Sequence, residues 1–222
     1  MQQLDEHVFE RVEPSGWSLA MHVLRVGEDL VVHSPTRTSE DVFERLDALG
    51  RVRVIVAPNH FHHMGLPTFR ARYPEARVVA SERAIPRLLA QGHEGLEPIE
   101  RTLLPAGLSF HVASGVRTGE TFLSYEVGAV RTLLVCDAFF HVTRELRGPM
   151  GLALRATQTG PGLKTGRTFK YLAIADRDAY VRWVGETLRT IRPGRVRFSH
   201  GAPIEGPRLV EDLLASVTER LG

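Results

Sequence analysis

One cysteine, Cys136, stands in the whole chain, so an intramolecular disulfide is impossible. No apolar run approaches the ~20 residues that a membrane span needs. The first residues, Met1-Gln2-Gln3-Leu4-Asp5-Glu6-His7, have neither the basic start nor the apolar stretch of an export signal, and a soluble cytoplasmic protein is expected. Charge of one sign is also lacking. The 28 Lys and Arg nearly balance 26 Asp and Glu, and they are interspersed, without a basic block or an aromatic-basic stripe. Neither nucleic acid nor a membrane is therefore expected as a partner. Internal repeats, low-complexity tracts and linkers are missing too, and one domain over residues 1–222 is expected. What is present suits a globular chain: 43% hydrophobic residues can build a substantial core.

Patterning along the chain gives strands over 7–12 and 18–33, the second broken by a turn at Gly27-Glu28-Asp29. A helix follows over 39–50, with Ser39 as its N-cap, Val42, Phe43, Leu46 and Leu49 on one face, and Gly50 closing it. A strand is predicted over 52–57, then a short helix over 68–73, a strand over 77–80 and a helix over 82–91. Next come one or two strands within 103–112, and a hairpin of 121–127 with 131–135 around Gly128. Residues 143–156 read as helical, and the glycine-rich stretch 157–168 as a mobile loop or flap. Helices over 177–191 and 207–221 flank a strand over 195–198. The order is strands, βα alternation, strands, then helix-strand-helix. It fits an α/β architecture of two sheets with helices outside.

Three of these strands end in metal-binding residue types. The run Val54-Ile55-Val56-Ala57 leads into Pro58-Asn59-His60-Phe61-His62-His63-Met64-Gly65. Thr132-Leu133-Leu134-Val135-Cys136 ends in Asp137, and Arg195-Val196-Arg197-Phe198-Ser199 ends in His200. Imidazoles and a carboxylate delivered by several strand ends are how a metal site is built on a β-scaffold. His7, His22, His33 and His93 read as surface or core residues. His111 and His141 are candidates for lining the site.

With these pieces in hand, the chain resembles the metallo-β-lactamase superfamily over residues 19 to 205. The resemblance implies a four-layer αβ/βα sandwich of two mixed sheets with helices outside, and a metal site on loops at one edge. That family's first motif is His-x-His-x-Asp-His-x-Gly after a strand. Anchored on Gly65, the motif here has Pro58 at its first histidine, His60 at its second, His62 at its aspartate and His63 at its last histidine. A second register, with His60 and His62 as the first two histidines, leaves Met64 and Gly65 at the Asp-His positions. The first register keeps the glycine and one more ligand. The family's second element, a histidine in a Gly-His-x-x-Gly-type turn, is replaced by Ser114-Gly115-Val116-Arg117-Thr118-Gly119, where Val116 or Arg117 takes the histidine's place. Val135-Cys136-Asp137-Ala138-Phe139-Phe140 matches the third element and Phe198-Ser199-His200-Gly201 the fourth.

The resemblance implies two metals in the family, but one of the two ligand sets is largely lost here. A single divalent metal is expected, held by His62, His63, Asp137 and His200, with His60 as a further ligand or as an acid-base group beside it. Zinc is expected ahead of iron or manganese. A divalent ion with one carboxylate keeps a formal charge of about +1 and can lower the pKa of bound water toward ~7. The implied activity is hydrolysis of a small-molecule ester, thioester, amide or phosphoester, with His60 and Asp137 as the catalytic residues; β-lactam hydrolysis in particular is not implied by the altered motif. A non-catalytic metal- or ligand-binding protein on the same scaffold is the alternative. Redox chemistry at iron is a third reading, disfavoured by the missing ligands. Cys136 reads as a buried inert thiol, and Arg117 as an exposed turn residue or an anion holder.

Overall fold

Strands β1 (Gln2–Gln3), β2 (Val8–Val12), β3 (Ala20–Val26) and β4 (Asp29–His33) form an antiparallel meander, and Gly27 takes the left-handed conformation that the β3–β4 turn requires. The computed structural model describes residues 1–4, 6–13, 19–127, 130–143, 151–153, 156, 159 and 161–222. Within it the chain divides into two compact units, Met1–Pro105 and Ala106–Gly222.

In the first unit the meander continues in parallel through β5 (Arg51–Ala57), β6 (Arg77–Ala80) and β7 (Leu96–Pro98). The three parallel crossovers carry helices α1 (Glu40–Leu49), α2 (Leu66–Arg72) and α3 (Ile85–Ala90). The result is a mixed seven-stranded sheet in sequence order. Alternate residues of its strands, among them Val23, Val32, Ile55 and Val78, pack with Leu46, Phe69 and Leu88 of the helices into one core. Ser39 sits at the N-cap of α1 as expected, but its hydroxyl bonds to the Asp41 carboxylate and makes no capping bond to the backbone.

Two fully buried histidines occupy adjacent positions on β3 and β4. The register pairs His22 with His33, and their ring centroids lie 6.3 Å apart. His22 Nε2 is 3.1 Å from the Glu10 carboxylate. Neither ring nitrogen of His33 has a hydrogen-bond partner among the described residues. Burial, reinforced by His22 and His62, holds the His33 imidazole well below its usual protonation range. Its folded-state value therefore lies below the unfolded one, and the unfolded chain takes up the proton first. This contribution to stability is intact above pH ~6.5 and is lost as pH falls below it, by at most about 1.4 kcal/mol per pH unit. His33→Leu should flatten that dependence. Urea unfolding at pH 7.5 and 5.5 checks it, and equal losses in both proteins would refute it.

In the second unit, β8 (Leu108–Val112), β9 (Thr121–Val127), β10 (Val130–Val135), β13 (Arg195–Phe198) and β14 (Ile204–Glu205) form a sheet of order β14-β13-β10-β9-β8. Only the β10–β13 pair is parallel, so this sheet is mixed as well. Helix α4 (Arg177–Ile191) spans the β12-to-β13 connection, and α5 (Leu209–Leu221) ends the chain. Tyr180, Val184 and Leu188 of α4 and Leu213 and Val217 of α5 cover Phe122, Val135 and Phe198 of the sheet. Asp176 caps α4 by accepting the Ala179 N–H. A small antiparallel pair, β11 (Phe140–Val142) with β12 (Gly162–Lys164), lies apart from the main sheet. Part of the stretch predicted to be a loop over 157–168 is thus strand. The helix predicted over 143–156 and the turn at Gly128 lie largely outside the described residues. In the 103–112 stretch a single strand forms, after Pro105.

Candidate metal centre

In the first unit, the end of β5 delivers the histidine-rich loop. Ser34, the residue after β4, donates its backbone N–H to Val56 and so stands beside that loop. The loop is shaped by its own residues. The Asn59 side-chain carbonyl accepts the backbone N–H groups of Phe61 and His62, an Asx turn. Gly65 packs so closely on Pro35 that a Cβ there would meet backbone at 2.5 Å, which accounts for the glycine of the motif.

His62 is buried, and its Nδ1 lies 2.7 Å from Ser34 Oγ. His63 has its Nδ1 2.7 Å from His93 Nε2. With each Nδ1–H donating, the lone pair of both histidines sits on Nε2. A ligand histidine is oriented in this way, by a hydrogen bond at its other nitrogen. Burial first, then the neighbouring His93, His60 and His62, pulls the His63 imidazole below its usual range. It is therefore neutral near pH 7, the form that binds metal. His60 is half-buried, its ring 4.3 Å from that of Phe61. His93, read from sequence as a bland residue, is thus part of this loop's hydrogen bonding. No local pattern links it to His63, thirty positions away. Ser34 was legible only as the residue after a strand.

In the second unit, Asp137 and His200 come together. Strands β10 and β13 are parallel with Val135 opposite Phe198, so two residues on, Asp137 lies beside His200. His200 Nε2 is 3.1 Å from Asp137 Oδ1, and the Phe140 ring stacks on the imidazole at 4.9 Å. The backbone of His141 clamps this end: its N–H donates to the His200 carbonyl, and its own carbonyl accepts from Ala202. The His141 ring bonds the Ala202 carbonyl through Nδ1 at 2.7 Å, a positioning contact.

The other candidates have structural partners. His111 Nε2 bonds Ser124 Oγ at 2.8 Å across β8 and β9, and burial lowers its pKa. Val116, one of the two residues in the turn over 114–119 expected to replace a histidine, is buried and bridges to Ile174, and its side chain offers no ligand atom. Arg117 is exposed, and its guanidinium donates to the Ile174 carbonyl. Cys136 is fully buried, and burial pushes its thiol well above the usual range. Each unit's donors suit a borderline divalent ion: in the first, imidazoles with an anchored second nitrogen; in the second, a carboxylate facing an imidazole.

No protein-family model matches the sequence, and no curated protein matches it at a significant level. Solved structures do match. A metallo-β-lactamase from Pontibacter korlensis superposes with a TM-score of 0.68 at 11% identity, over 98% of this chain and 97% of the other. The metallo-β-lactamase from Hirschia baltica gives 0.62 at 13% identity, over 97% and 95%. The DIM-1 metallo-β-lactamase gives 0.69 at 12%, over 98% and 96%. Nearly full coverage of both chains bears out the expected fold class, α/β of the metallo-β-lactamase type with two mixed sheets.

Proposed function

From the metallo-β-lactamase fold of this chain, we propose a metal-dependent hydrolase with one divalent ion per chain, zinc ahead of iron or manganese. The observation that carries the reading is the Asp137–His200 pair at the ends of two parallel strands, 3.1 Å apart. The proposed ligands are His62, His63, Asp137 and His200. The anchoring of His62 by Ser34 and of His63 by His93 supports them. A bound divalent ion supplies Lewis acidity, which activates water and polarises a carbonyl or phosphoryl group. The chain's own residues do the rest. His60 exchanges a proton with the attacking water or the leaving group, and Ser34 and His93 keep two imidazoles in the required tautomer. The substrate class is a small-molecule ester, thioester, amide or phosphoester. Both units act as one domain in this reading, and the protein works in the cytoplasm. No helix among the described residues is long and apolar enough to cross a membrane.

Elemental analysis of protein purified without added metal tests the proposal, with His62→Ala alongside. About one ion per chain, lost in the variant, is expected. Metal-free protein that stays empty after reconstitution would sink it. A second reading, a binding protein without catalysis, is favoured by the buried Val116, one of the two residues expected to replace a histidine. Loaded protein that is inactive across the four substrate classes would point there.

A further inference from the structure

The loop that carries His60, His62 and His63 also holds two large apolar side chains out in solvent. Phe61 is 46% exposed and Met64 is 44% exposed. Their neighbours Asn59, His62 and Leu66 are buried. The other exposed large apolar residues described in the first unit, Val12, Leu89 and Leu103, stand singly in the sequence. Such single residues are ordinary on a protein surface. Phe61 and Met64 differ because they are interleaved with the proposed ligands. Consecutive Cα atoms are about 3.8 Å apart, so Phe61 is flanked by His60 and His62, and Met64 adjoins His63.

The hydrogen bonds that shape the loop do not use these side chains. The Asx turn takes the backbone N–H of Phe61, and the close approach to Pro35 falls on Gly65. The Phe61 ring nevertheless packs against the His60 ring, with centroids 4.3 Å apart and planes tilted by 56°. A ring ordered before a ligand arrives loses little entropy on binding, and an unbranched thioether adapts to varied apolar shapes.

We propose that Phe61 and Met64 bind an apolar acyl chain of the substrate, so that the substrate is an ester, thioester or amide of an aliphatic acid. The inference rests on the hydrolase reading above and deepens it, narrowing the substrate class to acyl compounds. The acyl carbonyl is the group polarised at a metal centre, so its own substituent is the part of the substrate that lies against the ligand loop. Both side chains act as specificity residues and take no part in proton transfer.

Calorimetric titration of octanoate and of acetate into metal-loaded protein tests this, because the two probes share a carboxylate and differ only in chain length. Each methylene taken out of water is worth up to about fourfold in affinity. Wild type should bind octanoate at least about 30-fold more tightly than acetate. Phe61→Ala combined with Met64→Ala should cut that ratio to below about fivefold, with metal content as in wild type. Phe61→Leu should lose less than Phe61→Ala. Leu103→Ala, at an exposed apolar residue outside the loop, should keep the wild-type ratio. A wild-type ratio near one, or an unchanged ratio in the double variant, overturns the inference and leaves the metal reading standing. An octanoate preference that the double variant loses, in loaded protein that cleaves neither p-nitrophenyl octanoate nor p-nitrophenyl acetate, supports the Phe61 and Met64 contact and refutes the hydrolase reading. Wild type that takes up no metal overturns both.

Discussion

Asp137→Ala is expected to leave less than about a tenth of the wild-type metal content and to reduce hydrolysis to background. The size of the effect follows from what the side chain does. Asp137 faces His200 Nε2 at 3.1 Å and is the carboxylate of the proposed ligand set. Removing it takes away a ligand and a charge together and leaves His200 without the group that orients it. Changing a residue behind a ligand typically costs about 10- to 100-fold in affinity, so losing the ligand itself should exceed that. Secondary structure by circular dichroism should be retained, because Asp137 lies beyond the end of β10 (Val130–Val135) and outside the apolar core. Wild-type metal content in Asp137→Ala would place the ion elsewhere and refute the proposed ligands.

Gly201→Ala should be the most damaging single-methyl change at the site. Gly201 has φ +116°, in the region that L side chains rarely adopt, and a Cβ there would lie 2.0 Å from the His141 carbonyl oxygen. That carbonyl already accepts the Ala202 N–H, and the His141 N–H donates to the His200 carbonyl. The clash therefore falls on the backbone that holds His200. Roughly 2–4 kcal/mol of stability should be lost, from backbone strain plus overpacking. Metal affinity should drop with it, since His200 moves. Gly206→Ala is the control: its φ is +148°, but nothing lies within 4 Å of the added carbon. Chemical denaturation of both variants gives the comparison, and equal losses would show that strain alone, not the His141 contact, sets the cost.

Much of this site was legible before any tertiary information. An apolar run that stops at an imidazole or a carboxylate marks a strand end, and Asp137 and His200 are such ends. The apolar face of α1 follows from helical periodicity, and the helices α4 and α5 were legible as helices. Shorter elements were not legible. β7, β11 and β12 have three residues each, too few for alternation to register, and they exist because a neighbouring strand pairs with them. Ser39 shows the opposite failure. A good capping residue stands at the right position, yet the nearby Asp41 carboxylate takes its hydroxyl.

The sequence by itself determined the alternation of strands and helices, the apolar faces and the supply of imidazoles and a carboxylate at strand ends, because each depends on residues a few positions apart. Only the tertiary structure decided which groups meet. Ser34 reaches His62, and His93 reaches His63, across about thirty residues of intervening chain. Asp137 meets His200 through a parallel register, and Val116 packs into the core. Register and side-chain pairing are long-range choices. They are settled by burial and by the need to satisfy every polar group at once, and no local pattern records them.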